Sequence, residues 1–450
     1  MRKNQKLITD DIPSLIKQLA IPASTGMFFN TMYNVVDTFY AGLISTQAIA
    51  ALSLSFMIFF LIIGTGYGFS SAITALIGNA FGKKRDKLSV IYAHKGLVFV
   101  PLIGVIISLF GFIFAQDIFI LLGATQGYLK DALDYIYTIL LGVVFFMGKF
   151  ALNAILIATG DTKSYRNTLI FGFFANIALN PLFIYGFLFI PAMGIKGIAL
   201  ATVLIQCLNM FYLLHKVLKT NLIHFERLDY FLPHKKLYMN ILKQGMPASL
   251  NMLAMAMGSL LVIYFVSHYG IHAVAGYGIG FRVEQLMLLP ALGLSTSVLS
   301  LVSNNFGAKR YDRVKDTLYY ALKYGFYICL FGVSFLYIFG EMIIRQFDDN
   351  ALVVNYAIEY LLIEVWIFFA FLTLFICVST LQGIKEPKMI FYVALYRQII
   401  AKFIVGYMVV KYFELDIIWL WVGLLLMIYS AAIFLYFYTR NRLKALNITI

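Results

Sequence analysis

The stretch NAFGKKR at residues 79–85 returns as NNFGAKR at residues 304–310, and PAS at 22–24 returns as PAS at 247–249. Both pairs are separated by the same number of residues. An ungapped comparison of the two segments that these motifs bound finds 17 identical positions. A repeat at fixed spacing indicates two copies of one structural unit. The sequence therefore predicts a chain built from two similar halves.

Both halves are too apolar for a water-soluble protein. Of the 450 residues, 62% are hydrophobic and only 12% are charged, and the mean hydropathy is +0.86. Apolar runs of about 20 residues, the length that crosses a bilayer core, recur between short polar loops. These runs are continuous rather than alternating, which favours helices over the strands of a barrel. We expect an all-α integral membrane protein.

We predict twelve transmembrane helices, six in each half. An even number of helices returns the chain to its starting side. The two six-helix lobes are therefore predicted to be parallel repeats, related by a pseudo-two-fold axis along the membrane normal. The predicted lobes are 1–218 and 241–450, joined by a polar linker at 219–240. The predicted spans are 13–42, 48–78, 90–115, 132–158, 165–190, 196–217, 241–267, 273–301, 318–340, 357–382, 389–410 and 416–438.

The distribution of basic residues predicts the orientation. Most of the 35 lysines and arginines fall on the side that holds both termini and the linker, which the positive-inside rule assigns to the cytoplasm. Because the net charge of +14 is scattered over short loops, we expect no nucleic-acid partner. Residues 1–11 are polar and precede no cleavage site, so no removable signal peptide is predicted. We expect a multi-pass protein of the cytoplasmic (inner) membrane with both termini cytoplasmic.

Cysteine and histidine give no sign of a metal site. Cys207, Cys329 and Cys377 stand alone within apolar spans, without the spacing of a disulfide or metal motif. His268 and His272 lie four residues apart near a predicted outer turn, where interfacial residues are a more common explanation than a metal or proton role. We expect no bound metal.

A rare acid within the first span supports the main functional hypothesis. An ionised carboxylate is expensive in hydrocarbon, so one that is retained usually faces a wet cavity. Asp37 follows Asn30 and Asn34 at i, i+4, i+7 spacing, which predicts one polar face directed into the bundle. The repeat counterpart of Asp37 is Val262, so only the N-terminal lobe carries an acid here. A carboxyl that binds a proton or a cation is favoured over one that only hydrogen-bonds a neighbouring helix.

The fifth span offers partners for this acid. Asn176 and Asn180 lie one turn apart, and Pro181 removes a backbone donor, which leaves a carbonyl upstream free. We predict that the two amides and the carboxyl form an oxygen-rich site for a proton, hydronium or sodium ion. Ordinary interhelical hydrogen bonding by the asparagines is the alternative. The ion-coupling residues assigned on this basis are Asp37, Asn34, Asn176, Asn180, Pro22 and Tyr33.

The second half carries its own intramembrane charges. Arg282 and Glu284 fall on the eighth span two residues apart and so do not face each other, and Glu364 falls on the tenth. A second ion or substrate site made by these three residues and a structural ion-pair network are equally open alternatives. The basic residues whose roles stay open are Lys149, Arg397 and Lys402.

Taken together, several stretches resemble the multidrug and toxic compound extrusion (MATE) family. NVVDTFYAG at 34–42 resembles the first-span motif of that family. NAFG at 79–82 and NNFGA at 304–308 resemble its paired loop motifs, and NPLFIYG at 180–186 and GIKG at 194–197 resemble its signature for the fifth and sixth spans. The resemblance covers nearly the whole chain.

The resemblance implies two six-helix lobes that export organic cations in exchange for protons or sodium, with no cofactor beyond the coupling ion. It also implies that the acid at Asp37 is central to ion coupling. Many relatives carry a second acid directly before the fifth-span proline, where this chain has Asn180, and this difference favours proton coupling. The acids of the sodium site of some relatives are not clearly matched. We expect a monomer in the lipid bilayer that binds small organic cations.

Two other functions fit this pattern less well. A flippase for lipid-linked saccharides or other amphiphiles would use a cationic cavity, for which Lys149, Arg282, Arg397 and Lys402 are candidates. A membrane-embedded enzyme would need paired acids or a large surface loop, and the sequence shows neither. We therefore expect no enzyme, and the resemblance favours the antiporter.

Overall fold

The computed structural model describes residues 3–446 and 448, and helices account for nearly all of them. No strand occurs among the described residues, which contain only an isolated bridge between Phe187 and Ile190. The all-α prediction is confirmed. The α-helices are α1 Lys3–Thr9, α2 Ile12–Ile44, α3 Thr46–Gly82, α4 Asp86–Leu121, α5 Gln126–Leu141, α6 Val143–Ala158, α7 Lys163–Tyr185, α8 Ile195–Leu218, α9 Lys235–Val266, α10 Ile271–Gly307, α11 Tyr311–Ile344, α12 Ala351–Glu364, α13 Ile367–Gly383, α14 Lys388–Leu395, α15 Ala401–Tyr407 and α16 Ile417–Ala445. The π-helical segments Tyr396–Ile400 and Met408–Tyr412 continue α14 and α15.

Nine helical segments of the described chain are long and apolar enough to cross a membrane. Two bent pairs, α5 with α6 and α12 with α13, raise the number to 11 if each pair is one span. The remaining predicted span corresponds to α2, which is 33 residues long. This helix is long enough to cross a membrane but less apolar than the others, because Asn30, Asn34 and Asp37 lower its hydropathy.

The bent pairs differ from the continuous helices that the sequence predicts at 132–158 and 357–382. The helices of the first pair meet at 48° and those of the second at 52°. Gly142 separates α5 from α6, and a Cβ at this position would overlap the side chain of Val203 on α8. The absence of a side chain thus permits the close approach of α8 at the first bend. No glycine or proline marks the second bend, so the sequence carries no local signal for it.

The described chain divides into two compact units. One, the Asp37 unit, is Thr25–Ser249, and the other, the Glu284 unit, contains the described residues of Met1–Ser24 and Leu250–Ile450. The predicted lobes divide at the linker, whereas these units divide within α2 and α9. The difference arises because the first turns of α2 belong with the helices of the second half, and the first turns of α9 belong with those of the first half.

The repeated Pro-Ala-Ser motif lies immediately before each of these divisions. In the Asp37 unit, a Cβ on Gly68 of α3 would overlap the backbone and side chain of Ser249. In the Glu284 unit, a Cβ on Gly293 of α10 would overlap Ser24 in the same way. The two glycines are repeat counterparts. The repeat therefore preserves a close helix contact in which a small residue and a glycine let two backbones approach.

The second repeated motif forms the same turn in both halves. The backbone N–H of Arg85 donates to the carbonyl of Ala80 at 2.9 Å, and that of Arg310 donates to Asn305 at 2.9 Å. The lysine before each arginine has a positive φ, 56° in one turn and 57° in the other. The identical geometry shows that the sequence repeat is also a structural repeat.

The linker is held against α4 by two buried side chains. Lys95 donates to the carbonyl oxygens of Tyr230, at 2.6 Å, and Leu232. His94 accepts a hydrogen bond from the backbone N–H of His224 at 3.0 Å. The linker that the sequence predicts as a polar boundary is thus anchored to the Asp37 unit. Arg227 within it hydrogen-bonds Asp229 and lowers the pKa of that carboxyl.

Candidate functional site

The carboxyl of Asp37 lies inside the Asp37 unit, where only 6% of the residue is exposed. The side-chain amides of Asn176 and Asn180 donate to Oδ1 at 2.8 and 2.9 Å. The hydroxyl of Thr202 donates to Oδ2 at 3.5 Å. Three neutral donors from α7 and α8 thus surround one buried carboxyl, an arrangement that suits its ionised form.

Two tyrosines complete the surroundings of the carboxyl. The hydroxyl of Tyr33, one turn before Asp37 on α2, donates to Thr202 at 2.9 Å. Tyr135 of α5 is buried and lies close enough to interact electrostatically with Asp37. A continuous hydrogen-bonded chain therefore runs from Tyr33 on α2 to Thr202 on α8 and back to Asp37 on α2.

Local sequence explains how α7 presents its amides. Asn176 and Asn180 lie one turn apart and are both fully buried. Pro181 lacks an N–H and leaves the carbonyl of Ile177 without its usual helical donor. The hydroxyl of Tyr40 on α2 donates to this carbonyl at 3.1 Å. The proline thereby creates a second link between α2 and α7, close to the first.

No basic side chain pairs with Asp37 among the described residues. All the groups that contact the carboxyl are amides and hydroxyls, and the only charge in the cluster is that of the carboxylate. A buried charge requires a compensating partner or neutralisation. The site is therefore able to exchange a proton or to attract a cation. Because amide nitrogens rather than oxygens face Oδ1, the cluster offers few of the oxygen ligands that sodium would use.

The structure does not place Asn34 in this cluster. Asn34 is exposed and its amide donates to the carbonyl of Asn30 at 3.0 Å, within its own helix. Pro22 falls in the part of α2 that belongs to the Glu284 unit, and its role stays a prediction. Thr202 was not predicted, and the signal that could have identified it is its spacing from Gln206 and Asn209 on one face of α8.

The Glu284 unit contains a second cluster of buried acids. The hydroxyl of Tyr360 donates to Oε2 of Glu284. Glu364, one turn after Tyr360, is 2% exposed, and its Oε1 has no hydrogen-bond partner among the described residues. The ring of Tyr360 packs edge-on against Trp421 with centroids 4.8 Å apart. The predicted acids Glu284 and Glu364 thus lie close enough to interact electrostatically with each other and with Tyr360.

The basic residues near these acids do not form direct ion pairs. Lys402 is close enough for its charge to act on both Glu284 and Glu364, yet no ion pair within 4.0 Å joins them in the described chain. Arg397 lies over the ring of Phe371 at 5.3 Å, and its Nε and Nη1 have no partner there. A direct ion-pair network, one of the two alternatives for these charges, is absent from the part of the chain that the structure describes. Arg282 is exposed on α10 and does not reach Glu284.

Lys149 is buried in the Asp37 unit with 3% of its surface exposed. Its Nζ lies 5.5 Å from the ring centre of Phe150 and 5.8 Å from that of Tyr165. It makes no ion pair with an acid among the described residues, and its role stays open. The described residues contain no cluster of histidine, cysteine and acids that would hold a metal ion.

Comparison with known proteins identifies the repeat. The MatE family model matches residues 22–182 and again 247–408, which together make up well over half of the chain. The first match spans α2 to α7, and the second spans the corresponding helices of the other half, α9 to α15. Both copies of the structural unit are therefore copies of one family module.

Curated relatives and solved structures give the same result. The chain is 30% identical over 387 residues to the probable multidrug resistance protein YoeA of Bacillus subtilis, which covers 84% of this chain and 83% of the relative. It is 25% identical over 373 residues to an FAD transporter of Shewanella oneidensis, covering 81% and 80%. A solved multidrug resistance transporter in an outward-facing conformation superposes with a TM-score of 0.90 at 23% identity, over 99% of each chain.

Proposed function

Since this chain belongs to the multidrug and toxic compound extrusion family, a family of membrane transporters, we propose that it exports organic cations in exchange for protons through Asp37. The observation that supports this proposal most strongly is the buried Asp37 carboxyl, held by three neutral donors without a basic partner. Such a carboxyl attracts a cation when ionised and releases it when protonated.

The hydrogen bonds around Asp37 suggest how protonation acts on the helices. A proton on Oδ2 turns that oxygen into a donor toward Thr202. Thr202 must then turn its own hydroxyl hydrogen away, which changes the chain of hydrogen bonds to Tyr33 and thus the link between α2 and α8. Protonation and cation binding oppose each other at one carboxyl, and their coupling free energy is reciprocal.

The proposed cycle follows from this opposition. In the outward-facing state of the transporter, Asp37 takes a proton from the periplasm. Helix α2 then repacks against Asn176 and Asn180, and the bound cation leaves. The empty transporter turns inward, releases the proton and binds the next cation. In this proposal the protein is a monomer in the inner membrane with both termini in the cytoplasm, as the distribution of basic residues favours.

Sodium is the alternative coupling ion, and a flippase is the alternative function. Sodium coupling would draw on Glu284 and Glu364, whose oxygens lie in the Glu284 unit beside Tyr360. A flippase would use a cationic cavity, for which Lys149, Arg282, Arg397 and Lys402 remain the candidates. The family match and the multidrug resistance relative favour the antiporter.

Ethidium transport into everted membrane vesicles tests the proposal. We compare the wild type with Asp37→Asn, and with Asn34→Ala as a matched control on the same helix. Proton and sodium gradients are imposed separately. We expect transport to follow the proton gradient, Asp37→Asn to fall to the background of empty vesicles, and Asn34→Ala to stay within about twofold of the wild type, since the hydrogen bond of Asn34 is exposed and local.

Other outcomes reject specific parts of the proposal. Transport driven by sodium alone contradicts proton coupling and directs attention to Glu284 and Glu364. A fully active Asp37→Asn variant rejects the role of Asp37. If neither gradient moves ethidium or other organic cations, the assignment of the cargo class is wrong.

A further inference from the structure

A line of buried polar side chains inside the Asp37 unit extends beyond the groups that contact Asp37. One face of α7 repeats a polar or small residue every four positions, and one face of α8 carries polar residues at i, i+4, i+7, so each set shares a helix face. These faces are buried although they belong to helices of membrane-spanning length. The buried polar residues are Ser164, Thr168, Asn176 and Asn180 on α7 and Thr202, Gln206 and Asn209 on α8.

Contacts between the helices bring these faces together. A Cβ at Gly172 of α7 would lie 3.5 Å from the side-chain amide nitrogen of Asn209 and 3.7 Å from the ring of Tyr33. The third helix is α6, from which Lys149 reaches to 5.8 Å from the ring centre of Tyr165 at the start of α7. The polar faces of α7 and α8 therefore meet beside the Asp37 cluster, and Lys149 of α6 approaches the start of α7.

The polar groups form steps at regular depth. With a rise of about 1.5 Å per residue, Asn180 and Thr202 lie about 25 Å from the first residue of α7 or the last residue of α8. Gln206 lies about 18 Å, Asn209 about 13 Å and Thr168 about 8 Å from the same ends. The steps of about 5–7 Å are close to the span of two hydrogen bonds in series through a single water molecule.

Three buried amide side chains on α6, α7 and α8 carry oxygens that accept no hydrogen bond from the described residues. Oδ1 of Asn180, Oε1 of Gln206 and Oδ1 of Asn153 are buried and have no hydrogen-bond partner among the described residues. Asn153 lies one turn after Lys149 on α6. Buried amide oxygens require a donor, and water supplies it where the site is polar. The unsatisfied oxygens occur near the top, the middle and the bottom of the line.

The line is confined to one half of the repeat. Its members on α6 and α7 have apolar counterparts at the equivalent positions of the second half, so the shared fold does not require polar groups there. Before the π-helical segment Tyr396–Ile400 of the second half, the counterparts are Val378 for Asn153 and Val393 for Thr168. The half that carries Asp37 is the half that carries the polar line.

We propose that this line is a hydrated track that carries protons between Asp37 and the ends of α6, α7 and α8 at Ala158, Lys163 and Leu218, separately from the route of the organic cation. We call it the Asp37 track. The inference rests on the proposed function and orientation, in which these helix ends are cytoplasmic. The members of the track are Asp37, Thr202, Gln206, Asn209, Thr168 and Asn153.

The transfer is an ordinary acid–base exchange. The O–H bond of the Asp37 carboxyl breaks as an O–H bond forms on the next water or hydroxyl, and the excess proton passes from oxygen to oxygen until the cytoplasm takes it. The titratable groups that face Asp37 are Tyr33 and Tyr135, and those beside the lower track are Lys149 and Tyr165. The carboxylate left behind is the form that binds the next cation.

The exchange of the Asp37 carboxyl proton for deuterium tests the track directly. The purified full-length protein is followed by infrared spectroscopy after transfer to heavy water, and the Asp37 band is assigned by difference from Asp37→Asn. Gln206→Leu and Asn153→Leu remove the unsatisfied oxygens at similar volume. Gln206→Ser and Asn153→Ser leave a hydroxyl and room for water. Thr74→Val is the control, since the Thr74 hydroxyl bonds helix carbonyls of Ser70 and Ala154 off the track.

We expect the leucine variants to slow the exchange about tenfold, a barrier increase of about 1.4 kcal/mol, and the serine variants and Thr74→Val to exchange like the wild type. Proton-driven ethidium transport by the leucine variants should slow by a similar factor with unchanged ethidium affinity and unchanged thermal stability. Leucine variants that exchange as fast as the wild type overturn the track, as does a Thr74→Val variant that is equally slow.

Failure of the proposed function is distinguishable from failure of the track. If the wild type transports no cation under either gradient, the proposed function fails, while the exchange measurement still decides whether the track exists. If no protonated Asp37 band is found at any accessible pH, both are rejected.

Discussion

At the scale of single residues, the site depends on the hydroxyl of Thr202. This group connects Tyr33 to Asp37 and is the donor that must reverse when Asp37 takes a proton. Removal of one hydrogen bond costs about 0.5–1.5 kcal/mol. Thr202→Val and Tyr33→Phe should therefore slow proton-driven transport by about two- to tenfold without abolishing it.

The two variants should be measured in the vesicle assay beside Thr38→Val. The hydroxyl of Thr38 is exposed and donates to the carbonyl of Asn34 in the same helix, so its loss should have little effect. Wild-type rates in both Thr202→Val and Tyr33→Phe would show that the hydrogen-bonded chain has no part in coupling.

The residues of the site were only partly predictable. Asp37, Asn176 and Asn180 were identified correctly as neighbours, because an intramembrane acid and a polar pair before a proline are rare in such a sequence. Asn34 was placed beside Asp37 although it is exposed. At about 100° per residue, Tyr33 lies about 40° from Asp37 on one side and Asn34 about 60° on the other. Both residues were assigned to the site, and the actual packing buries only the tyrosine.

At the scale of helices, the repeated glycines fix how α9 packs on α3 and α2 packs on α10. A Cβ on Gly68 would overlap both the backbone and the side chain of Ser249, and such overpacking typically costs about 1–3 kcal/mol. Gly68→Ala should therefore lower the thermal unfolding temperature of the protein in detergent.

Gly278→Ala is the matched control, because nothing lies within 4 Å of a Cβ at that position of α10. Alanine is favoured over glycine in a helix by about 1 kcal/mol, so this variant should be as stable as the wild type or more stable. Equal unfolding temperatures for the two alanine variants would contradict the close-contact role of Gly68.

Helix positions followed from the apolar runs, but their internal breaks did not. The bend at Gly142 depends on the approach of Val203 from α8, and that at Val365 and Trp366 has no local signal. The sequence likewise did not indicate that the first turns of α2 and α9 belong to the other compact unit. These features depend on tertiary packing, which the periodicity of one segment does not record.

At the scale of the whole molecule, duplication explains the scaffold and divergence explains the sites. Asp37 corresponds to Val262, Glu284 to Phe59 and Glu364 to Ile139, so no buried acid has an acidic counterpart in the other half. The repeat was therefore enough to predict a fold made of two similar units. The assignment of different chemistry to each unit required the structure, because only there do Thr202 and Tyr360 reach their carboxyls.

In the proposed cycle one carboxyl, Asp37, binds either a proton or an organic cation. This is tested by counting the protons that the purified protein releases into weakly buffered solution when ethidium binds, at a pH at which Asp37 is protonated before binding. The account predicts about one proton released per bound ethidium by the wild type and none by Asp37→Asn, with Glu364→Gln behaving like the wild type. Proton release that persists in Asp37→Asn and disappears in Glu364→Gln would contradict the account and assign the coupling to the Glu284 unit.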